Sequence, residues 1–229
     1  MTGPGRIEGI IFDLDGTLVD SEPNYMEADR LLMAHYGVTF TEEMKRRYVG
    51  YGNARMMEEI RETFDLPDDA PTLLKRKNGL YLDLARKKTP LFSEMAALLP
   101  LLKERGLPLA IASGSSPEVI TEIVDLVGIA AFFDVFVSSE EVAEPKPEPD
   151  IFLEAARRLG LAPKKLVVVE DSAHGVEAAL RAGMAVVAIP TLAPGPEDPA
   201  YRADLLFEGG MEDFTAQAFL DWLDRPRRT

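Results

Sequence analysis

Five short stretches of the chain are apolar and rich in β-branched residues, without strict polar alternation. They are Ile7 to Phe12 (IEGIIF), Leu107 to Ala112 (LPLAIA), Phe133 to Val137 (FDVFV), Leu166 to Val169 (LVVV) and Ala185 to Ile189 (AVVAI). Runs of this kind predict strands buried on both faces. Between them, Glu118 to Leu126, Asp150 to Leu159 and Gly175 to Ala182 place apolar residues three and four apart, with glycine at or just past the end. That spacing predicts amphipathic helices with glycine C-caps. Strand, helix, strand in repetition predicts an α/β fold, a parallel sheet with helices on both faces, and ligands at the carboxyl ends of its strands.

One segment breaks the rhythm. From Asp20 to Lys88 the pattern holds no strand, only helical stretches such as YMEADRLLMAHYG and ARMMEEIRETF, and it reads as an inserted α-helical domain. Pro100 falls inside an otherwise helical stretch, EMAALLPLLKERG, where proline is expected to kink or break the helix. Pro190 to Pro199 carries four prolines and two acidic residues and reads as a surface loop; the closing DRPRRT reads as a frayed tail.

Composition narrows the function. The 229 residues are 46% hydrophobic and 28% charged, as in folded, water-soluble domains. A net charge of −14 repels nucleic acid and anionic lipid, so neither is an expected partner. The absence of cysteine removes disulfides, thiolate metal sites and cysteine nucleophiles. MTGPGRIEG lacks an apolar stretch of signal-peptide length, and no run approaches the ~18 apolar residues needed to span a bilayer. A cytoplasmic monomer is the default expectation.

Four polar clusters follow the predicted strands. DLDGT, Asp13 to Thr17, closes the first strand. Two aspartates one residue apart repel by roughly a few kcal/mol at an effective dielectric near 20 unless a cation or proton intervenes. Hard oxygen donors suit magnesium. VVVEDSAHG adds Glu170 and Asp171 after another strand. If that strand lies beside the first, four carboxylates meet on one rim and call for a metal. Asp171 and Ser172 also have the side chains of helix caps, and capping is the favoured reading for Ser172. ASGSS, Ala112 to Ser116, offers the Ser113 and Ser115 hydroxyls and the Gly114 amide to phosphate oxygens. Lys146, between Pro145 and Pro147, stands where it would neutralise a phosphoryl group.

With these residues in order as DLDGT, ASGS, KPEPDIF and VVEDSAHG, the chain resembles the haloacid dehalogenase superfamily over nearly its whole length. It is most similar to the branch of β-phosphoglucomutase and small sugar-phosphate phosphatases. The resemblance implies a Rossmann-like core from 1–19 and 89–229 and an inserted helical cap over 20–88. It implies Asp13 as the nucleophile that forms an aspartyl-phosphate, and Asp15 as the general acid and base. It also implies magnesium held by Asp13, Asp171 and the Asp15 carbonyl with Glu170 as a further ligand, and a phosphoryl group held by Thr17, Ser113, Gly114 and Lys146.

Asp15 argues against a dehalogenase, which lacks an aspartate there, and no cap lysine stands out as a phosphonatase Schiff base. A Mg²⁺-dependent phosphatase acting on a small phosphate monoester, a sugar phosphate or a phosphoglycolate-like compound, is the expected function. A phosphomutase is the alternative and a non-catalytic binding module the remaining reading. Mutases of this branch carry histidine where this chain has Tyr25, and basic cap residues where it has Val49 and Asn53; Arg46, Arg47 or Arg55 offer substitutes. Glu22 is the candidate for substrate hydroxyls, or a favourable charge in a first helical turn. Tyr25, Asn53 and Ser115 complete the expected specificity surface. His35 reads as a surface residue, His174 as a minor catalytic candidate, and Met56 and Met57 as cap core.

Overall fold

The first strand, Gly9–Phe12 (β1), pairs on both sides, with Leu109–Ser113 (β2) and Leu166–Glu170 (β4). In the computed structural model, which describes residues 6–48, 52–191 and 198–225, all pairings in the sheet are parallel. Val135–Ser138 (β3) lies outside β2; Ala185–Ala188 (β5) and Leu205–Leu206 (β6) continue beyond β4. The order is β3-β2-β1-β4-β5-β6, so the chain starts in the middle and builds outward both ways. The direction reverses at β1, between β2 and β4, which places the ligand crevice at the carboxyl ends of those three strands.

Both sheet faces are apolar, hence the lack of alternation. On one face Ile10, Phe12, Val167 and Val169 pack against Ser93–Glu104 (α5), Pro117–Leu126 (α6) and Ala216–Leu223 (α9). On the other, Ile11, Leu166 and Val168 pack against Asp150–Leu159 (α7) and Ala173–Arg181 (α8). Gly160, at φ +70°, ends α7 in the left-handed conformation that the glycine pattern predicts.

Between β1 and α5 the described residues form four helices: Glu22–His35 (α1), Glu42–Arg46 (α2), Asn53–Phe64 (α3) and Ala70–Ala85 (α4). They carry their own apolar cluster, with Leu32, Met33, Met57, Ile60 and Leu73 fully buried. The two crossings back to the core are fastened where the segment leaves and returns. Asp20 N donates to Pro90 O (3.0 Å), and Asn24 Nδ2 to Lys88 O (2.8 Å) and Thr89 Oγ1 (3.0 Å).

Several expectations change. β3 and the hydrogen-bonded part of β2 start two residues later than the apolar runs suggest, because Asp134 caps their entry by accepting from Leu109 N (3.0 Å). β6, two residues long, and α9 have no counterpart in the strand-and-helix pattern read from sequence. Pro100 does not break α5: Leu98, Leu99 and Leu102 are fully buried around it, and their packing outweighs one lost backbone bond. The tail starts later than expected, since Arg105 grips Asp224 with two bonds (2.9 and 3.0 Å); residues 226–229 lie outside the described residues. Of the proline-rich loop, Pro190 is buried and 199–202 form a turn, while 192–197 lie outside the described residues, as does Val49.

Candidate active site

Asp13 follows β1 directly, its backbone N–H tied to Val169 O of β4 (3.0 Å). The chain then turns sharply over Asp15 and Gly16, with Gly16 N donating to Val19 O (2.9 Å) and Leu18 N to Leu14 O (2.9 Å). Gly16 has φ +81°, and a Cβ there would lie 2.4 Å from Asp171 Oδ2, so only glycine lets the turn pass this close to the β4 rim. Asp13, Ser113 and Glu170 thus stand at the ends of three adjacent strands.

Lys146 links them. Its ammonium donates to Asp13 Oδ1 (2.7 Å), Glu170 Oε1 (2.6 Å) and Ala112 O (3.2 Å). Both oxygens of Glu170 are engaged, because Oε2 accepts from Ser172 N (2.8 Å) and Ser172 Oγ (3.0 Å). Ser172 in turn caps α8 by accepting from Gly175 N (3.1 Å), the role favoured for it from sequence. Thr191 Oγ1 donates to Asp171 Oδ2.

The rim carries more negative charge than Lys146 offsets. Burial, with Glu170 and Asp15 beside it, pushes the Asp13 carboxyl up to about 7 against the pull of Lys146. Burial, with Glu170 and Asp13, holds Asp171 well above the ordinary carboxylate range. Burial opposes the charge on Lys146, but Asp13 and Glu170 hold its ammonium above the usual value. Among the described residues no group of three or more carboxylate or imidazole side chains is arranged to hold a metal ion by itself. The donors that remain there are the Asp13 and Asp171 carboxylates. They fit magnesium, which keeps several waters and uses one or two carboxylates plus substrate oxygen.

Asp15 sits in a ring of hydroxyls. Ser115 Oγ donates to Asp15 Oδ2 (2.7 Å), with Ser113 Oγ at 3.4 Å. Ser115 N donates to Ser113 Oγ (3.1 Å), while Ser138 Oγ and Ser139 Oγ hold the Ser115 and Gly114 carbonyls at 2.7 and 3.1 Å. Asp15 Oδ1 and Thr17 Oγ1 are buried without a hydrogen-bond partner.

A cavity of about 820 Å³ joins this rim to the helical insertion. Asp13, Asp15, Ser113, Gly114, Ser115, Lys146, Glu170 and Asp171 line it from the core, and Glu22, Tyr25 and Asn53 from the helices. Thr17, fully buried, is not among the lining residues. Glu22 is exposed in the first turn of α1, so both readings of it are compatible with its place. Arg47 and Arg55 do not line the cavity, and the Arg46 side chain lies outside the described residues. His35 is exposed at the end of α1, and His174 lies in the first turn of α8 without lining the cavity. Met57 is core as expected, and Met56 is both buried and part of the cavity wall.

Sequence reasoning missed Lys45, which also lines the cavity, and the pair that holds it. Asp29 takes Lys77 on Oδ1 (2.7 Å) and Lys45 on Oδ2 (2.8 Å), with Asp29 and Lys77 essentially inaccessible to solvent. A signal was present. Asp29 follows Tyr25 by four residues and Lys77 precedes Tyr81 by four, so each charge falls on an otherwise buried helix face.

A family model described as haloacid dehalogenase-like hydrolase matches residues 10–189. This chain belongs to that family, and it is a hydrolase. The phosphorylated carbohydrates phosphatase of Thermotoga maritima is 34% identical over 182 residues, spanning 78% of this chain and 82% of the relative. A phosphoglycolate phosphatase of Shigella boydii serotype 4 is 33% identical over 198 residues, spanning 77% of this chain and 79% of the relative. Among solved structures, CbbY from Rhodobacter sphaeroides in complex with phosphate superposes with a TM-score of 0.82 at 28% identity, over 96% of this chain and all of that one. The sheet order and the helical insertion are therefore those of a Rossmann-like core carrying additional helices. Among the described residues no helix is long and apolar enough to cross a membrane.

Proposed function

We propose that the chain is a Mg²⁺-dependent phosphatase that hydrolyses a small phosphate monoester, a sugar phosphate or phosphoglycolate-like compound, with residues 20–88 as its cap. The observation that carries this reading is Asp13 buried at the sheet's reversal point, one oxygen on Lys146, with a second carboxyl, Asp15, two residues on. An Asp13 oxygen attacks phosphorus and the ester P–O bond breaks as Asp15 gives its proton to the departing alkoxide. Asp15 then takes a proton from water, whose oxygen attacks the aspartyl-phosphate; phosphate leaves and Asp13 is restored. Lys146 and the Ser113 hydroxyl and Gly114 amide face the charge spread over the transferring group. Magnesium, held by Asp13, Asp171 and the Asp15 carbonyl, would supply charge neutralisation between carboxylate and phosphate. Glu170, with both oxygens taken, orients Lys146 and Ser172 rather than facing the metal directly.

The cap side of the cavity supports a phosphatase over a mutase. Among the described residues that line it from 20–88 the cation is Lys45, which is already bound to Asp29, whereas Asp20, Glu22 and Glu42 are acidic. A second phosphate would meet net negative charge there. The test is phosphate release from a panel of phosphate esters, with magnesium and with EDTA, alongside detection of glucose 6-phosphate from β-glucose 1-phosphate. Magnesium-dependent release with little isomerisation is expected; isomerisation without release would overturn the reading in favour of the mutase.

The support behind Lys146 can be tested separately. A Cβ on Gly175 would lie 1.7 Å from Glu170 Oε1, the oxygen that holds Lys146. Gly175→Ala is therefore expected to displace Glu170 and lower kcat/KM by about 10²-fold, the size of effect that a misplacement near 1 Å produces. Steady-state kinetics on the best ester, with circular dichroism to confirm the fold, checks this.

A further inference from the structure

The hydroxyl of Tyr25 meets Ser115 Oγ at 2.6 Å, and Ser115 Oγ meets Asp15 Oδ2 at 2.7 Å. Direction follows from counting protons. Ser115 Oγ donates to Asp15 Oδ2 and has only one hydroxyl hydrogen, so Tyr25 donates to Ser115, and the other Asp15 oxygen is left to carry the proton of the general acid. Tyr25 and Ser115 are 5% and 2% exposed, so water does not compete freely for either hydroxyl. Bonds in such a chain polarise one another, and the far donor strengthens the near one.

The phenol has little freedom to leave. Its ring stacks on Tyr81 at 4.0 Å between centroids and 13° between planes, and Lys77 and Lys45 lie over it at 5.4 and 5.7 Å. Tyr25 and Tyr81 come from α1 and α4 of the insertion, while Ser115 belongs to the loop after β2. The contact spans 90 residues and joins cap to core.

Resting on the reading of Asp15 as general acid and base, we infer that Tyr25 is a positioning residue: through Ser115 it fixes the Asp15 carboxyl, and does so only while α1 is seated on the β2 loop. Its hydroxyl transfers no proton to substrate. What it controls is the orientation of the acid that protonates the departing alcohol.

Leaving groups separate this from a packing role. An alkyl phosphate must have its alkoxide protonated as the P–O bond breaks, whereas p-nitrophenolate departs without a proton. kcat/KM reports the first phosphoryl transfer, before the aspartyl-phosphate is hydrolysed. Tyr25→Phe keeps the ring stack and removes one oxygen. It is expected to lower kcat/KM for the best alkyl ester by roughly 10- to 100-fold, part of what a placed acid contributes, and for p-nitrophenyl phosphate by less than about 3-fold. Ser115→Ala should show the same bias, and Tyr25→Phe/Ser115→Ala should be within about 2-fold of the lower single variant, since both changes cut one chain. Equal losses on both esters, or losses that multiply in the double variant, would overturn the inference and leave Tyr25 as packing. A parent enzyme without phosphate release would remove the phosphatase reading and this inference with it; an active parent with unbiased variants removes only the inference.

Discussion

Asp13→Asn is expected to abolish phosphate release, by about 10⁴-fold or more, since loss of a covalent nucleophile leaves only binding and electrostatics. The substitution is nearly isosteric and should leave the sheet untouched. Asp13 is held by its backbone to Val169 O, and Lys146 keeps Glu170 at 2.6 Å. The melting temperature should be no lower than the parent's. A neutral amide removes the repulsion with Glu170 and Asp15 that, with burial, raises the Asp13 carboxyl, which offsets its lost bond to Lys146. Release measured on the panel and a thermal melt on the same sample decide the matter together. Activity retained within 10-fold of the parent would sink the role assigned to Asp13, and activity lost with a collapsed melt would trace the loss to folding.

Removing the carboxylate that holds two buried lysines is expected to cost the most stability. Asp29→Ala leaves Lys77, fully buried, and Lys45 without their anion, a loss of about 3–5 kcal/mol for a broken buried pair. For a chain of this size that lowers Tm by roughly 6–20 °C. The nearest groups give Lys77 little compensation: Met56 Sδ at 3.5 Å and the Tyr25 ring. Adding Lys77→Met to Asp29→Ala removes the stranded charge and should recover part of the loss, which urea unfolding of the parent, both single variants and the double variant measures as a coupling energy.

The pH dependence of this pair has a definite sign. Burial raises the Asp29 carboxyl, but Lys77 and Lys45 outweigh it and hold it below its ordinary value. The folded state therefore binds that proton less tightly than the unfolded chain does. Its stabilisation is complete above the unfolded value of about 3.9 and disappears as pH falls through the lowered folded value. The difference in unfolding free energy between the parent and Asp29→Ala should hold steady from pH 7 to 5 and narrow below about pH 4. A gap that widens in acid would show that the pair does not favour the ionised carboxyl.

Local pattern carried much of this molecule. Runs such as IIF and LVVV have few apolar alternatives to a buried strand, and a helix closed by Gly160 at φ +70° needs a residue without a Cβ. The polar clusters were legible because each directly follows such a run, and parallel pairing of β2, β1 and β4 then brings Ser113, Asp13 and Glu170 to one edge. Even the helical insertion announced itself, as a long stretch without a strand.

What sequence left open depends on pairings between distant residues, which no periodicity encodes. Glu170 and Asp171 are neighbours with the same chemistry, yet only Glu170 has both oxygens occupied, because Lys146 and Ser172 reach it from two other elements. Tyr25 lines the cavity, and the bond of its hydroxyl to Ser115, 90 positions away, is another such pairing. Asp29 and Lys77 are 48 residues apart and would each be costly to bury alone; their ion pair makes the burial tolerable. β6, at two residues, has too short a pattern to read and is defined by the pairing of Leu205 and Leu206 with β5. The sequence by itself determined the five longer strands, the motif order and the chemical types at the rim, since these follow from local hydrophobicity and backbone freedom. Tertiary structure alone decided which carboxylate has both oxygens engaged and which hydroxyls surround Asp15, because those choices are made by contacts between elements far apart in the chain.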